Sequence, residues 1–440
     1  MRNTKKSMFA AVGVAALSLV ATLVTAVAPA SASANCDAYH KYGNLKGKSV
    51  TMFTSILDPE LSKLKQAWRT FEVCTHVKIK IEGSNQFEAL LPVRVKGGNA
   101  PDIAIIPQPG LLAQMVATGK VKKAPKSVLR NVKKYWSASW RELGTVNKKF
   151  YAAPLSANMK SLVWYSPKQF KANGYTVPTT WDQMTALADK MAANSQTAFC
   201  GGLGSGGATG WPATDWVEEL VLREYGAQVY NDWVSHKIKF SDPRIKAAMS
   251  KVAGWMQNPK WVGDVKNIAT TSFQDAGLGI PTGKCMMLQQ ASFYGNQFPA
   301  GTTVSDTGDV FAFYLPPTNP KVTVPVEGGG EFLAAFSSRK EVKVVQNFLS
   351  SATYATNRVL LDHWVSANNG VPLAAYKDPI DRLSAQYLSN PKSTFVFDAS
   401  DLMPAAIGAG KMWTEFTAWF AEGKSINDVT AAIDAAWPSN

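Results

Sequence analysis

Residues 49 to 107 alternate between short β-branched runs and amphipathic segments. The runs at 49–55, 77–83 and 102–107 predict strands, and helical periodicity fills the two intervals between them. The pattern therefore predicts βαβ units and an α/β fold, with helices covering a parallel sheet.

The chain is longer than one hydrophobic core can use. It has 440 residues, 46% of them hydrophobic and 18% charged, and single cores stop growing at about 250–300 residues. We therefore predict two lobes. An extended stretch at 150–166 is typical of a crossover into a second lobe, and runs at 310–316 and 331–337 predict strands that return to the first. The predicted N-terminal lobe comprises 35–155 and 300–340, and the predicted C-terminal lobe comprises 156–299 and 341–440.

The first 34 residues have the pattern of a secretory signal peptide. A basic segment at 2–6 precedes an uncharged apolar run at 8–27, and overlapping Ala-x-Ala cleavage patterns follow at 30–34. An apolar run of this length also approaches the roughly 20 residues that span a bilayer, so an uncleaved anchor is the alternative. We predict cleavage after Ala34 and a location outside the cytoplasm, at the cell surface or in the periplasm.

All four cysteines follow the predicted signal peptide. An even number of cysteines in an exported chain predicts disulfides, and the sequence allows three pairings. We favour Cys36 with Cys74 and Cys200 with Cys285, because each pair joins segments of one predicted lobe. Cys36 has a second interpretation, as a lipid-modified N-terminal cysteine, but the residues before it match a lipoprotein signal poorly.

The chain is strongly basic. Its formal net charge is +14, and removal of the three basic residues in 2–6 leaves +11. Such an excess favours anionic surfaces, including lipid headgroups and cell-wall polymers. Basic residues are scattered, which argues against a nucleic-acid partner. The densest stretch, at 120–134, is interpreted as a solvated helix-and-loop face, with a local binding patch as the alternative.

The sequence contains no motif that specifies catalysis. The four histidines, at 40, 76, 236 and 363, lack metal-ligand spacing. Ser205 lies between two glycines, but Leu203 occupies a position where a nucleophile elbow needs glycine. The segment 202–207 has dinucleotide-binding spacing, yet it does not run directly into a helix, so we interpret it as a turn. We predict no catalytic residue, no metal and no cofactor.

Aromatic side chains are the remaining chemical signal. The chain has 14 Trp, 13 Tyr and 20 Phe residues, several of them beside amides and carboxylates in predicted loops. Flat rings stack on the apolar face of a sugar, and Asp, Asn and Gln bind its hydroxyl groups. This mixture favours carbohydrate binding, with ordinary core packing as the alternative for each tryptophan.

Segments spread along the chain resemble a known family. They are 101–112, 151–170 with 178–184, 210–219 (GWPATDWVEE) and 328–337 (GGGEFLAAFS). In this order they resemble the sugar-type extracellular solute-binding proteins of ABC importers, nearest to the α-glucoside-binding branch. The resemblance implies a two-lobed periplasmic-binding-protein-like fold with a hinge and an interlobe cleft. It also implies a monomeric binding protein that captures an oligosaccharide, here an α-glucoside, by lobe closure and delivers it to permease subunits.

The resemblance further implies which residues face the cleft. They lie at the carboxyl ends of strands, at the start of a helix in the second lobe, in a Gly-Gly entry strand and in a late cleft-edge segment. The alternatives are that Thr214 or Asp215 caps the helix and that Asp398 is a cap. The expected ligand-binding residues are Phe53, Gln86, Gln108, Trp211, Asp215, Trp216, Gly329, Gly330, Phe332, Asp398 and Asp401.

Two other functions stay open at this point. One is a secreted carbohydrate-active enzyme in which Asp398 or Glu331 acts in the cleft, since carboxylates hydrolyse glycosidic bonds. The other is a binding protein of the same fold for a different solute, such as a polyamine or iron. Turnover of an oligosaccharide distinguishes the enzyme from both binding proteins.

Overall fold

The computed structural model describes residues 35–438 and has an α/β fold. The predicted signal peptide at 1–34, its cleavage and its alternative as an anchor lie outside these residues. Among the residues described, no helix combines the length and apolar character that crossing a bilayer requires.

The secondary structure of this part of the chain is as follows. The strands are β1 (Ser49–Thr54), β2 (Lys78–Gly83), β3 (Ile103–Ile106), β4 (Thr145–Val146), β5 (Lys149–Phe150), β6 (Ala152–Pro154), β7 (Asn158–Met159), β8 (Leu162–Tyr165), β9 (Met287–Gln289), β10 (Phe311–Tyr314), β11 (Pro325–Gly329), β12 (Phe332–Ala335) and β13 (Thr394–Phe397). The helices are α1 (Glu60–Thr75), α2 (Phe87–Lys96), α3 (Pro109–Ala117), α4 (Lys126–Tyr135), α5 (Ala138–Leu143), α6 (Pro167–Asn173), α7 (Trp181–Ala193), α8 (Trp211–Val234, interrupted at Gly226), α9 (Pro243–Met256), α10 (Pro259–Val262), α11 (Val265–Thr270), α12 (Lys340–Leu349), α13 (Ala352–Val359), α14 (Pro379–Ser389), α15 (Ala399–Leu402), α16 (Trp413–Ala421) and α17 (Ile426–Ala436).

A five-stranded sheet in the order β2-β1-β3-β12-β6 organises the first lobe. Strand β1 pairs in parallel with both β2 and β3, and helices α1 and α2 form the crossovers. The βαβ units expected from the sequence are confirmed. Strands β12 and β6 complete the sheet in antiparallel orientation, so the run at 331–337 returns to the first lobe as predicted.

Helices α12 and α13 also belong to the packing of the first lobe. Val342 and Phe348 share a core cluster with Val50 and Ile103 of the sheet, although the predicted boundary placed everything after 340 in the C-terminal lobe. An amphipathic pattern shows that a helix has a buried face, but it carries no information about which sheet covers that face. The lobe boundaries themselves stay a prediction.

The second lobe is built around the antiparallel sheet β10-β8-β9 and the helices that follow β8. The prediction that the run at 310–316 returns to the first lobe is wrong, because Phe311 to Tyr314 pair with Tyr165 to Leu162. Alternating apolar residues specify a strand and its buried face, but not its partner. A third sheet, β13-β11-β7, lies where the chain crosses between lobes, since β6 leads into β7 and β11 leads into β12.

Both disulfides form as predicted. Cys36–Cys74 ties the segment before β1 to the last turn of α1, and Cys200–Cys285 ties the loop after α7 to the residues just before β9. Each bond closes a loop in the unfolded chain and so favours the folded state. The sulfur of Cys36 is bonded to another sulfur here, which argues against its interpretation as a lipid attachment site.

Candidate functional site

A cavity of about 430 Å³ lies between the two lobes. This volume falls within the roughly 300–1,000 Å³ typical of small-molecule pockets. The first lobe contributes the residues that follow β1, β2 and β3, because the carboxyl ends of parallel strands meet at one edge of a sheet. The walls include Ser55, Ile56, Leu57, Glu60, Asn85, Glu88, Gln108, Asn158, Lys160, Ser205, Gly206, Trp211, Phe273, Phe293, Gly329, Gly330, Glu331, His363, Trp364, Asp398, Asp401 and Trp413.

Aromatic rings form one part of the wall. The centroid of the Trp211 ring lies 5.0 Å from that of Phe273 and 6.2 Å from that of Phe293. Trp211 is the first residue of α8, so its ring is held where a rigid helix begins. Rings fixed in this way offer flat apolar faces to a ligand at little cost in side-chain entropy.

Lys160 lines the cavity and lies between two carboxylates. Its Nζ donates a hydrogen bond to Asp215 Oδ1 at 2.7 Å and forms an ion pair with Asp398. All three side chains are buried. Burial alone lowers the pKa of Lys160, but Asp215 and Asp398 raise it well above its ordinary value. The ammonium group is therefore held in its charged form.

Asp398 has a second role at the start of a helix. Its Oδ1 accepts hydrogen bonds from Ser400 Oγ and from the backbone N–H of Asp401, both at 2.8 Å, and so caps α15. Burial acts to raise the pKa of Asp398, yet the Lys160 ammonium and these hydrogen bonds hold it below its ordinary value. The cap foreseen as an alternative for Asp398 is thus present. The prediction that Thr214 or Asp215 caps the helix is wrong, because α8 begins at Trp211.

A further layer of buried acids lies behind Lys160. Glu219 accepts a hydrogen bond from Ser161 Oγ at 2.6 Å and forms an ion pair with Arg223. One carboxylate oxygen from each of Asp215, Glu327 and Asp398 lies within 4.8 Å of the others. Buried carboxylates this close together require a positive charge nearby. The Lys160 ammonium supplies it, because it forms ion pairs with Asp215 and Asp398.

The structure brings most of the predicted site residues together. Asp215 lies directly behind Lys160, and Gln86 is next to the wall residue Asn85, with its Oε1 2.8 Å from where a Cβ on Gly207 would stand. The predicted residues that line the cavity are Gln108, Trp211, Gly329, Gly330, Asp398 and Asp401. Their roles in ligand binding stay predictions.

Three predicted residues lie in the core instead, so the prediction that they face the cleft is wrong. Phe53 packs against Phe87 and the Arg94 guanidinium, on the helix-covered face of the sheet. The two others are buried in the same way, Trp216 against Trp255 and Phe420, and Phe332 against Trp140. For Phe332 the neighbouring side chain, Glu331, lines the cavity instead.

Lys160, the most enclosed cation of the site among the described residues, was not predicted. A signal was present, because Lys160 is the only charged residue between 150 and 167, in a stretch of otherwise apolar and small polar residues. Lysine is almost never fully buried unless it is paired. Its partners, Asp215 and Asp398, are 55 and 238 residues away in sequence, so the pairing itself was not visible.

Two cavity-wall glutamates give the fold a dependence on pH. Burial, followed by the charge of Glu60, raises the pKa of Glu331 to about 8, and burial raises that of Glu60 to about 7. The ordinary value is 4.5, so between pH 4.5 and 8 the folded state holds a proton that the unfolded chain releases. Raising the pH through this window therefore lowers the free energy of unfolding.

Glu331→Gln is expected to reduce this pH dependence. Glutamine is neutral at every pH, so the variant loses the contribution of one titrating group. The measurement is the free energy of unfolding from urea titrations at several values between about pH 6 and 9. We expect a shallower decline for the variant than for the wild type, and parallel declines would contradict the assignment.

Two α/β lobes joined by crossing strands, with a lined cavity between them, define a two-lobed ligand-binding protein. A solved structure with this fold is maltose-bound MalE3 of T. maritima, with a TM-score of 0.67 and 17% identity, covering 88% of this chain and 98% of that one. Residues 57–357 match the family described as bacterial extracellular solute-binding protein, and the chain belongs to that family. It is a binding protein rather than an enzyme, so the alternative of a secreted hydrolase is contradicted.

Curated relatives match almost the entire chain. The α-glucosides-binding periplasmic protein AglE of Rhizobium meliloti (strain 1021) is 34% identical over 418 residues, which are 92% of this chain and 90% of AglE. The osmoprotective compounds-binding protein GgtB of Synechocystis sp. (strain ATCC 27184 / PCC 6803 / Kazusa) is 32% identical over 408 residues, 92% of this chain and 96% of GgtB.

Proposed function

We propose that the chain is the extracellular binding component of an ABC importer. It captures an oligosaccharide of the α-glucoside class by closure of its two lobes and delivers it to permease subunits in the membrane. The observation that carries this proposal is the lining of the interlobe cavity, where aromatic rings stand beside carboxylates and amides. The similarity to AglE, which extends over 92% of the chain, supports the choice of α-glucosides.

The chemistry of the wall suits a sugar. A pyranose ring has an apolar C–H face, which stacks on rings such as Trp211 and Phe273. Its hydroxyl groups donate hydrogen bonds to carboxylates such as Asp401. They both donate to and accept from amides such as Gln108. Gly329 has no side chain, so the ligand can approach the backbone there.

The two lobes also contact each other directly. The backbone N–H of Gly207, in the turn before α8, donates to the carbonyl oxygen of Asn85 at 2.8 Å. Lys63 Nζ of α1 donates to Asn296 Oδ1 of the second lobe at 2.9 Å. These contacts join segments from different lobes, as expected for a closed arrangement in which both lobes contact the ligand.

Gly206→Ala is expected to weaken ligand affinity about tenfold by opposing closure. A Cβ at Gly206 would stand 2.5 Å from the backbone oxygen of Asn85, a contact that exists only while the lobes meet. The ligand binds better to the closed state than to the open state. A steric clash that occurs only in the closed state therefore lowers the affinity. The measurement is isothermal titration calorimetry with the sugar identified below.

The matched control is Gly174→Ala. Gly174 has φ +62° and Gly206 has φ +58°, so both substitutions introduce the same left-handed backbone strain, but nothing lies within 4 Å of a Cβ at Gly174. The control should lower stability without changing affinity. Equal affinities for the two variants would show that the contact with Asn85 does not form in the bound state.

A small osmoprotective solute is the second candidate ligand. The observation that favours it is GgtB, whose identity to this chain and coverage are close to those of AglE. The two candidates differ in size and in glycosidic content, so a ligand panel separates them. Monomeric state and delivery to permease subunits stay predictions under either candidate.

The first experiment is a thermal-shift and calorimetric panel on protein that begins at Asn35. The panel contains maltose, trehalose, longer α-glucans, β-linked disaccharides, polyol and betaine osmoprotectants, and a polyamine. A ligand at a hundred times its dissociation constant adds about 2.7 kcal/mol to the stability of the folded state. Saturable binding of α-linked sugars, recovered intact, supports the proposal. Binding confined to osmoprotectants selects the second candidate, and no response to any sugar overturns the first.

A further inference from the structure

The outer surface of α4 carries a stripe of positive charge. Its exposed cations are Lys126, Arg130, Lys133 and Lys134. They are spaced at i, i+4, i+7 and i+8, which places them on one side of a helix. The opposite side is apolar, because Val128 and Val132 are buried in the core of the first lobe.

The segment before α4 extends this stripe. Lys120, Lys122 and Lys123 are exposed. The segment is fixed to the lobe, since the N–H of Lys122 donates to Ala335 O at 2.8 Å and the N–H of Ala124 donates to Phe150 O at 3.1 Å. We call the seven residues Lys120, Lys122, Lys123, Lys126, Arg130, Lys133 and Lys134 the basic face.

Acidic residues do not neutralise the basic face. The sequence has no Asp or Glu between 103 and 141, and across residues 35–438 no carboxylate forms an ion pair with any of the seven. Asp102, the last acid before this segment in the sequence, and Glu341 of α12 both form ion pairs with Arg339 instead. Like charges at i, i+4 destabilise a helix, so folding does not account for the stripe.

We propose that the basic face binds the surface of an anionic phospholipid membrane. It is a long exposed side of a helix with its flanking segment, and none of its residues lines the interlobe cavity. An unpaired row of ammonium and guanidinium groups is complementary to a layer of phosphate headgroups. Cys36 is bonded to Cys74, so this face offers a means of membrane contact without a lipid on that cysteine. The proposal does not depend on which solute the cavity binds.

The test compares two fourfold variants that lose the same charge. The first changes Lys122, Lys126, Arg130 and Lys133 of the basic face to Gln. The control changes Lys239, Lys260, Lys266 and Lys321, which are exposed elsewhere, to Gln. Protein starting at Asn35 is sedimented with vesicles of phosphatidylglycerol and phosphatidylcholine, or of phosphatidylcholine alone, at about 50 mM and about 500 mM salt.

We expect wild type and control to bind the phosphatidylglycerol vesicles at low salt and to release them at high salt. Each basic residue near an anionic leaflet strengthens binding roughly fivefold, so the basic-face variant should bind at least about tenfold more weakly. Far-UV circular dichroism and ligand affinity should be unchanged in both variants. A Lys126→Glu, Arg130→Glu variant gives a second measurement should the fourfold change reduce folding.

Three results would overturn the proposal. One is equal vesicle binding by the basic-face variant and the control, and another is equal binding to vesicles without phosphatidylglycerol. The third is binding to a soluble polyanion such as an anionic cell-wall polymer without any binding to vesicles, which would assign the face to that polymer instead.

Discussion

Lys160→Met is expected to lower the free energy of unfolding by about 3–5 kcal/mol, because it leaves buried carboxylates without their cation. Lys160 Nζ bonds both Asp215 and Asp398, and all three side chains are buried. Methionine fills a similar volume, so the loss reports the missing charge rather than a cavity. The measurement is urea unfolding near neutral pH, followed by tryptophan fluorescence.

The destabilisation by Lys160→Met should grow with pH. In the wild type the pKa of Asp398 is held below its ordinary value. The ionised, paired carboxylate therefore stabilises the fold at every pH above the ordinary pKa of an aspartate. In the variant, burial without the cation raises that pKa, and the folded state then loses stability as the pH rises. Unfolding measured near pH 5 and pH 8 should show the larger difference from wild type at pH 8.

Two further variants make this result decisive. Lys168→Met removes a lysine whose side chain is 60% exposed and which pairs with Asp309, so it should change stability little. Adding Asp215→Asn to Lys160→Met removes one orphaned carboxylate and should recover part of the loss. Equal effects of the two lysine substitutions, or no recovery by the second change, would contradict the role given to Lys160.

Trp211→Ala is expected to reduce ligand affinity about 30-fold or more, which corresponds to about 2 kcal/mol and is typical of a truncated aromatic anchor. The Trp211 ring lines the cavity and is held by its contact with Phe273. Trp211→Phe keeps a flat ring and should retain most of the affinity. Isothermal titration calorimetry with the ligand found in the panel measures both variants.

The control for Trp211 is its neighbour in the same motif. Trp216 packs against Trp255 and Phe420 in the core, so Trp216→Phe should lower stability and leave affinity unchanged. Affinity of Trp211→Ala equal to that of the wild type would exclude this ring from the binding surface. It would also weaken the proposal that the cavity binds a sugar.

Much of the fold was predictable because local patterns specify it. The βαβ order at 49–107 predicts a parallel sheet, and an even number of cysteines after a signal-peptide pattern predicts disulfides; both are present. Pairing partners that are distant in sequence were harder to predict. The run at 310–316 was recognised as a strand but assigned to the wrong sheet, since its alternating pattern is the same whichever strand it pairs with.

The site shows the same division at the level of single side chains. Trp211 and Trp216 lie in one motif, but five residues at 100° each place their side chains about 140° apart around α8. One ring therefore reaches the cavity while the other enters the core. The motif identified the helix correctly, whereas the direction of each side chain depended on how that helix packs.

By itself, the sequence determined the fold class, the presence of disulfides, the family and the segments from which the cavity is built, because each of these depends on local pattern, on composition or on a motif. Only the tertiary structure decided which side chains meet. The Lys160 ion pairs join residues 55 and 238 positions apart, and the contact of Gly207 with Asn85 joins different lobes. Such contacts depend on the packing of whole elements against each other, and no local pattern records that packing.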